Sequence, residues 1–192
     1  MNFYQEINIL PAVDIGPYFI WQKIFQQIHL VLVENKVDQH VSRIGLSFPD
    51  YDAGHYLLGC KLRLFSPERA DLEKLNCQTW LKRLNDYLRC GEITTVPVEV
   101  AGYACFAQIK PRGSKEKLAR RRAKRKGETL EQALNHYANY DEERSRLPYV
   151  NVVSLTNGNH FRLFIEKQNK EEPQAGFYSC YGLSRISTVP LF

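Results

Sequence analysis

The segment YFIWQKIFQQIHLVLVE, residues 18–34, has the spacing of an amphipathic helix. Its apolar residues recur every three or four positions, which places them on one face of a helix with about 3.6 residues per turn. The members of this apolar face are Trp21, Ile24, Phe25, Ile28 and Leu32. His29 follows the face by one position, so we expect it to look outward from the edge of a domain.

Strand-like segments lie on both sides of this helix. FYQEINIL, residues 3–10, precedes it, and RIGLSF and CKLRLF, residues 43–48 and 60–65, follow it. In RIGLSF, the alternation of Ile44, Leu46 and Phe48 predicts a strand with one buried face.

A second helix and a further β-rich segment complete the N-terminal pattern. SPERADLEKL, residues 66–75, predicts a helix with Ser66 as its N-cap and Pro67 at the first helical position. EITTVPVEV, residues 92–100, is rich in β-forming residues, and Pro97 marks the edge or end of a strand. The resulting order is βαββαβ, so we predict an N-terminal ferredoxin-like domain over residues 1–100.

Residues 101–192 predict a second domain in which a β-sheet carries two helices, which makes the chain α+β. TLEQALNHYANY, residues 129–140, opens with a capping box between Thr129 and Gln132. YVNVVSLTNGNHFRLFIE, residues 149–166, predicts a β-hairpin around Asn157–Gly158, and GFYSCYGLS, residues 176–184, predicts a further strand.

The segment SKEKLARRRAKRKGE, residues 114–128, concentrates the positive charge of the chain. Lys110 to Lys126 contain ten Lys or Arg and one acid, a charge of +9, whereas the whole chain is +5, so the remainder carries −4. Ser114 as a cap and Gly127 as a stop predict a helix over about 114–126. One side of it is basic: Lys117, Arg120, Arg121, Lys124 and Arg125. Only Ala119 and Ala123 lie opposite, so we expect no strong apolar anchor.

Such a helix has three interpretations. A run of like charge is usually a solvated surface, but the concentration of charge here favours a polyanion, and arginine binds phosphate and guanine edges in two-point fashion. A membrane-surface helix would carry Trp, Phe or Leu opposite its basic face. We therefore expect nucleic acid as the partner and no membrane.

The composition also argues against membrane proteins, secreted proteins and metal-dependent enzymes. No stretch is long and apolar enough to span a bilayer, and the N-terminus lacks the pattern of a secretory signal. The five cysteines are widely spaced and form no C-x-x-C pair, which predicts reduced thiols in the cytoplasm and no zinc site. The acidic residues show no metal-ligand spacing, so a nuclease of this sequence is expected to use acid–base chemistry on RNA, without metal or cofactor. Its base would come from five histidines: His29, His40, His55, His136 and His160.

An ordered set of segments resembles one family, the CRISPR repeat-processing endoribonucleases of type I-F systems. The matching pieces, in the order of the family, are RIGLSFPD (43–50), Gln108 with KLARRRAKR (117–125), LPYV (147–150), NHFRLFI (159–165), SCYGLS (179–184) and a closing VPLF (189–192). The resemblance implies a ferredoxin-like N-terminal domain and a C-terminal domain whose arginine-rich helix enters the major groove of a repeat hairpin.

The resemblance also implies site residues. His29 matches the catalytic histidine, the base toward the ribose 2′-hydroxyl. Ser154 matches the serine that holds that ribose, and Tyr181 matches the tyrosine that orients the histidine. Phe161 matches the aromatic residue that stacks under the stem, and Gln108 matches a side chain that reads a base edge.

The sequence departs from the pattern of the family at two positions. One lies in the basic helix, and the other lies before it. Arg121, Lys124 and Arg125 fall where the family's helix contacts the groove and the phosphates. Lys124 stands where arginine is expected, which keeps the charge and loses the planar fork. Phe106 stands where an arginine precedes the base-reading glutamine by two residues, and a phenylalanine cannot contact guanine edges. We therefore expect the lowest base pairs to be read differently, and Lys110 and Arg112 in the following loop are candidates to help.

The resemblance thus implies an endoribonuclease that binds one CRISPR repeat stem-loop and cuts at its 3′ base, leaving a 2′,3′-cyclic phosphate. The resemblance further implies that it stays on the crRNA with other subunits of a type I-F surveillance complex. One alternative is a hairpin-binding subunit without catalysis. A more distant alternative is a general RNA-binding protein.

Overall fold

A computed structural model describes residues 1–11, 15–51, 58–110, 113–140, 146–154 and 158–192. The chain divides into two compact units. The main unit comprises Met1–Ile109 and Leu147–Phe192, and the helical unit comprises Lys110–Arg146. This division differs from the predicted domain boundary at residue 100, which stays a prediction.

The first part of the main unit is a four-stranded antiparallel sheet with helices. Its strands have the order β3-β4-β1-β5. In chain order the elements are β1 (Phe3–Ile9), α1 (Pro17–Glu34), β2 (Val41–Ser42), β3 (Gly45–Ser47), β4 (Lys61–Ser66), α2 (Arg69–Leu75), α3 (Cys77–Trp80) and β5 (Leu88–Thr95). β2 lies outside this sheet.

The predicted amphipathic helix forms as α1, and its predicted apolar face is buried. Trp21, Ile24, Phe25, Ile28 and Leu32 are each at most 3% exposed. The helix begins at Pro17, where the missing N–H costs no hydrogen bond because first-turn N–H groups have no partner within the helix. Burial of this face in the core stabilises α1 more than its intrinsic propensity does.

The predicted inward face of residues 43–48 is also buried. Ile44, Leu46 and Phe48 are at most 3% exposed, although the strand itself is confined to Gly45–Ser47. The alternating pattern therefore identified the correct residues.

Two predicted boundaries in this half are wrong. The second helix begins at Arg69, two residues after Pro67, because Ser66 remains in β4 opposite Phe3. The Ser66 hydroxyl accepts a hydrogen bond from the Glu68 N–H (3.2 Å) and donates one to Asp71 (2.8 Å). The strand predicted over residues 92–100 lies instead at Leu88–Thr95 and ends before Pro97, which cannot donate to a ladder.

The second part of the main unit is another four-stranded antiparallel sheet, of order β10-β6-β8-β7. Its strands are β6 (Gly102–Ile109), β7 (Tyr149–Val153), β8 (His160–Lys170) and β10 (Val189–Leu191), and the short β9 (Tyr178–Ser179) pairs with β2. β7 and β8 form the predicted hairpin, with Val152 opposite Phe161. Asn157 of its predicted turn lies outside the described residues. β6 was not predicted.

The strand predicted over residues 176–184 is wrong beyond its first residues. Only Tyr178–Ser179 are extended, and the chain then turns through Gly182, whose φ is +68°. This left-handed conformation favours glycine and interrupts a strand.

The helical unit consists of α4 (Lys115–Lys126) and α5 (Leu130–His136). The Ser114 hydroxyl accepts the Lys117 N–H at the start of α4, and Gly127 ends it with φ +68°. At the start of α5, the Thr129 hydroxyl and the Gln132 side chain form the predicted capping box. α5 ends at His136, four residues before the predicted end.

The two helices of this unit pack against each other. Ala119 of α4 and Ala133 of α5 are fully buried. The expectation that the basic helix lacks an apolar anchor is therefore wrong at Ala119, because a small side chain lets two helices approach closely. The α+β class of the chain is confirmed. Among the described helices, none combines the length and hydrophobicity needed to cross a membrane.

Candidate active site

The geometry around His29 gives its imidazole one defined tautomer. α1 buries Ile28 and leaves His29 half-buried at the edge of its apolar face. The Nδ1 atom lies 2.9 Å from the backbone carbonyl oxygen of Cys180. A carbonyl oxygen can only accept, so Nδ1 carries the hydrogen in this contact, and Nε2 of the neutral ring keeps its lone pair. The ring is thus prepared to accept a proton at Nε2.

The Tyr181 ring covers one face of the His29 imidazole. The two ring centroids are 4.1 Å apart and the planes differ by 10°, a stacked arrangement. Burial raises the pKa of the Tyr181 phenol, and the nearby Cys180 thiol adds to the rise. The phenol is therefore neutral at physiological pH. The structure brings together these two predicted site residues, which lie on α1 and in the turn after β9.

Ser154 is placed by the hairpin. It directly follows β7, its N–H donates to the Asn159 carbonyl, and its own carbonyl accepts the Gly158 N–H, both at 2.8 Å. β7 packs against α1, the helix that carries His29. At one end of this packing, the rings of Tyr18 and Tyr149 stack with centroids 6.2 Å apart.

Phe161 and Gln108 occupy the second sheet. Phe161 on β8 is partly exposed, and the rest of its ring packs against the core. Gln108 is half-buried near the end of β6, opposite Ile165, and its backbone carbonyl accepts a hydrogen bond from Arg185 at 3.2 Å.

Phe106 is a core residue. It is 2% exposed, and its ring makes edge contacts with Phe48 and Tyr51, at centroid distances of 5.2 and 6.0 Å. An arginine at this position would bury an unpaired charge. Of the two basic residues proposed to assist Gln108, Lys110 is exposed, and Arg112 lies outside the described residues.

The basic helix presents exposed cations, most of which have no partner among the residues that the structure describes. The side chains of this helix that are predicted to bind RNA are all exposed: Lys117, Arg120, Arg121, Lys124 and Arg125. Arg120 pairs with Glu116 four residues earlier. Within the described part of the chain, the other four side chains form no ion pair or hydrogen bond. Lys117, Arg120, Arg121 and Lys124 line one open groove with Ser114 and Glu116.

Arg122, in contrast, has a structural role. Its guanidinium makes two hydrogen bonds to the Glu128 carboxylate, of 2.8 and 3.0 Å, and both side chains are largely buried. The pair spans Gly127 and therefore ties α4 to the start of α5. Sequence reasoning missed it, because the two residues are six apart and the intervening turn brings them together.

Sequence reasoning also missed the Cys180 carbonyl as the hydrogen-bond partner of His29. A backbone acceptor has no residue-type signature, so no sequence pattern identifies it. Among the described residues, no three His, Cys, Asp or Glu side chains group as potential metal ligands.

Comparison with known proteins identifies the family. Residues 4–192 match the family described as "CRISPR-associated protein (Cas_Csy4)". A protein of Escherichia coli (strain UTI89 / UPEC) named "CRISPR-associated endonuclease Cas6/Csy4" is 34% identical, over the full length of both chains. One of the same name from Pseudomonas aeruginosa (strain UCBPP-PA14) is 32% identical, also over the full length of both. The chain therefore belongs to the Cas_Csy4 family of CRISPR-associated proteins.

Proposed function

We propose that this protein is an endoribonuclease that binds the stem-loop of a CRISPR repeat and cuts the transcript at the 3′ base of the stem. The observation that carries the proposal is the His29 ring, which is fixed by the Cys180 carbonyl and stacked on Tyr181. Two full-length relatives named as endonucleases support it.

In the proposed reaction, His29 is the general base. Its Nε2 takes the proton from the ribose 2′-hydroxyl, and the 2′-oxygen attacks the adjacent phosphorus. The bond from phosphorus to the 5′-oxygen of the next nucleotide breaks, and that oxygen takes a proton from solvent. The products are a 2′,3′-cyclic phosphate and a 5′-hydroxyl end. The nucleophile belongs to the RNA, so the protein residues supply proton transfer and alignment.

Ser154 is the proposed ribose-holding residue. From the contact of Tyr18 with Tyr149, His29 lies 11 residues further along α1, about 16 Å at 1.5 Å per residue. Ser154 lies five residues beyond Tyr149, also about 16 Å at 3.3 Å per residue. The two elements pack together, and these equal distances support the proposal that Ser154 acts beside His29.

The basic helix and Phe161 are proposed to hold the stem. The major groove of A-form RNA is deep and narrow, so a helix enters it only near the end of a stem or at a widened site. α4 suits such a site, because most of its exposed cations have no ion-pair partner among the described residues, and Ala119 and Ala123 have small side chains. Phe161 would stack under the last base pair with the part of its ring that is exposed, and Gln108 would read a base edge.

Three further features belong to the proposal. The strand order β3-β4-β1-β5 supports a ferredoxin-like N-terminal domain. The separate second sheet, together with the arginine-rich helix, supports a division into residues 1–100 and 101–192. After cleavage the protein remains on the crRNA as one subunit of a type I-F surveillance complex.

The test uses the repeat RNA of the CRISPR array encoded beside this protein, in buffer with EDTA. We expect the wild-type protein to cut it once and to leave a cyclic phosphate. A single deoxyribose immediately 5′ of the scissile phosphate should abolish cutting and leave binding intact. His29→Ala should bind equally well and lose about 10² to 10⁴ in rate, the usual contribution of a positioned base.

Two outcomes would contradict this function. Cleavage of the deoxy-substituted RNA at the normal rate, or loss of all cleavage in EDTA, would mean that water and a metal ion perform the reaction. Tight binding without any cleavage of the unmodified repeat would favour a hairpin-binding subunit that lacks catalysis.

A further inference from the structure

The segment that follows β9 holds both groups that fix the His29 ring. Cys180 provides the carbonyl oxygen at 2.9 Å from Nδ1, and Tyr181 provides the ring stacked at 4.1 Å. The two groups are adjacent in the chain but differ in kind, since one is backbone and the other side chain. The conformation of this short segment therefore sets the tautomer and the orientation of the imidazole together.

Ser179 organises the segment through its side chain. Its hydroxyl oxygen accepts the N–H groups of Tyr181 (3.3 Å) and Leu183 (3.4 Å). Its backbone N–H donates to the Leu183 carbonyl at 2.9 Å, and its carbonyl accepts the Gly182 N–H at 2.8 Å. One residue thus closes four hydrogen bonds of a five-residue turn.

The turn is also tied to the first sheet. The Leu46 N–H donates to the Gly182 carbonyl at 2.8 Å. A Cβ atom at Gly182 would lie 2.3 Å from the Leu46 side chain, and the φ of +68° adds strain for any other residue. Ser179 itself pairs with Val41 across the β2–β9 ladder. These contacts hold both ends of the turn. Inside the turn, the N–H groups of Tyr181 and Leu183 are bound by the Ser179 hydroxyl.

We infer that Ser179 is a positioning residue for catalysis, which holds the Cys180 carbonyl and the Tyr181 ring against His29. The inference rests on the proposed function of His29 and deepens it. Without the Ser179 hydroxyl, the N–H groups of Tyr181 and Leu183 lose their acceptor, and only backbone hydrogen bonds still hold the turn. The Cys180 carbonyl is then held less firmly against Nδ1, so a smaller fraction of neutral His29 presents an unprotonated Nε2.

The neighbouring Ser184 offers a matched control. Its hydroxyl accepts the N–H groups of Ile186 (3.2 Å) and Ser187 (2.9 Å), the same arrangement in the next turn of the chain. Neither of those residues touches His29 in the interactions described above. Ser184→Ala therefore removes a hydroxyl that accepts two N–H groups, as Ser179→Ala does, but leaves the contacts of His29 intact.

The experiment measures single-turnover cleavage and hairpin affinity of the full-length protein. Ser179→Ala should lower the cleavage rate about tenfold, part of the 10² to 10⁴ that a positioned base contributes, and change the Kd by less than about twofold. Ser179→Thr should restore most of the rate, because it retains the hydroxyl. Ser184→Ala should cleave at the wild-type rate.

A spectroscopic measurement separates positioning from general destabilisation. The 15N resonances of the His29 ring should show hydrogen on Nδ1 in the wild type and in Ser184→Ala, and a shift toward Nε2–H in Ser179→Ala. An unchanged tautomer and rate in Ser179→Ala would overturn the inference, as would an equal loss of rate in Ser184→Ala. If His29→Ala itself cut at the wild-type rate, the proposed role of His29 as general base would fail, independently of the role of Ser179.

Discussion

At the scale of single residues, the site depends on groups that restrict one imidazole ring. His29 is held by a hydrogen bond on one edge and by an aromatic face on one side. Restriction of this kind matters, because small errors in the position of a catalytic group cost large factors in rate. Mutagenesis can separate the contribution of the Tyr181 ring from that of its hydroxyl.

We expect Tyr181→Phe to cleave within about threefold of the wild-type rate and Tyr181→Ala to lose at least about tenfold, a part of the 10² to 10⁴ of a positioned base. The reason is that the contact with His29 is made by the ring, at a centroid distance of 4.1 Å, and the phenol stays neutral because burial raises its pKa. Single-turnover rates at neutral pH measure the difference. Equal losses in both variants would show that the hydroxyl, and not the ring, is the group that matters.

At Phe106, the role expected from the sequence and the environment found in the structure differ. In the sequence it replaces a cation expected next to the RNA, whereas in the structure it fills the core against Phe48 and Tyr51. Its environment leaves no room for a role in base reading. Any reading of the lowest base pairs must come from other side chains, of which Gln108 is half-buried at the end of the same strand.

At the scale of elements, the arginines of α4 are of two kinds: some are exposed to solvent, and one forms an ion pair within the fold. Arg121 is exposed and without a partner among the described residues, whereas Arg122 is bound by Glu128 through two hydrogen bonds. Adjacent residues on a helix point about 100° apart, so one faces solvent and the other faces α5. Since both carry the same charge, they form a matched pair for mutagenesis.

Arg121→Ala should weaken hairpin binding about five- to tenfold at low salt and reduce the salt slope of log Kd by about 0.7 to 0.9, the value of one lost phosphate contact. Lys124→Ala and Arg125→Ala should behave alike. The melting temperature should not change, because these side chains are exposed. Filter binding between low and physiological salt measures the slope.

Arg122→Ala should show the opposite pattern. Loss of the pair leaves the Glu128 carboxylate largely buried without its partner, at a cost of about 1 kcal/mol, or about 2–4 °C in Tm for a chain of this size. Its effect on the salt slope should be small. If Arg122→Ala reduced the slope as Arg121→Ala does and left Tm unchanged, the division of tasks along α4 would be wrong.

At the scale of the whole molecule, Arg63 holds Phe192 to the first sheet. The guanidinium lies 4.2 Å from the centroid of the Phe192 ring, donates to the Phe192 carbonyl oxygen, and pairs with Glu6 at 2.7 Å. β10, which ends one residue earlier, is an edge strand of the second sheet. Arg63 therefore links the two sheets of the main unit.

This link predicts a pH dependence of stability. Burial acts to raise the pKa of Glu6, but the hydrogen bonds from Arg63 and Asn8 and the positive charge of Arg63 outweigh it, so the pKa is lowered. A lowered carboxyl pKa contributes stability that is complete above the ordinary value of about 4.3 and is lost as pH falls through the folded-state value.

We expect the Tm of the wild type to fall more between pH 6 and pH 3 than that of Glu6→Gln, which cannot titrate. Glu92→Gln, which removes an exposed carboxylate on β5, serves as control and should follow the wild type. Differential scanning fluorimetry over this range measures the difference. Parallel curves for all three proteins would mean that the Glu6–Arg63 pair does not stabilise the fold.

Much of the local structure was predictable from the sequence. The apolar face of α1, the capping box at Thr129 and the β7–β8 hairpin each depend on residues a few positions apart. The same holds for the concentrated charge of residues 110–126, which alone indicated a polyanionic partner. Such features follow from helical period, from capping hydrogen bonds and from composition, and none of them requires knowledge of distant contacts.

Tertiary structure decided which side chains of these elements contact one another. His29 meets a carbonyl 151 residues further along the chain, and a backbone carbonyl leaves no trace in the residue types. Phe106 became core and Arg122 became a structural ion pair, because packing and a turn placed other residues against them. The sequence determined which residues could act as base, stacking ring or cation, while long-range packing decided which of them are restricted and which remain free.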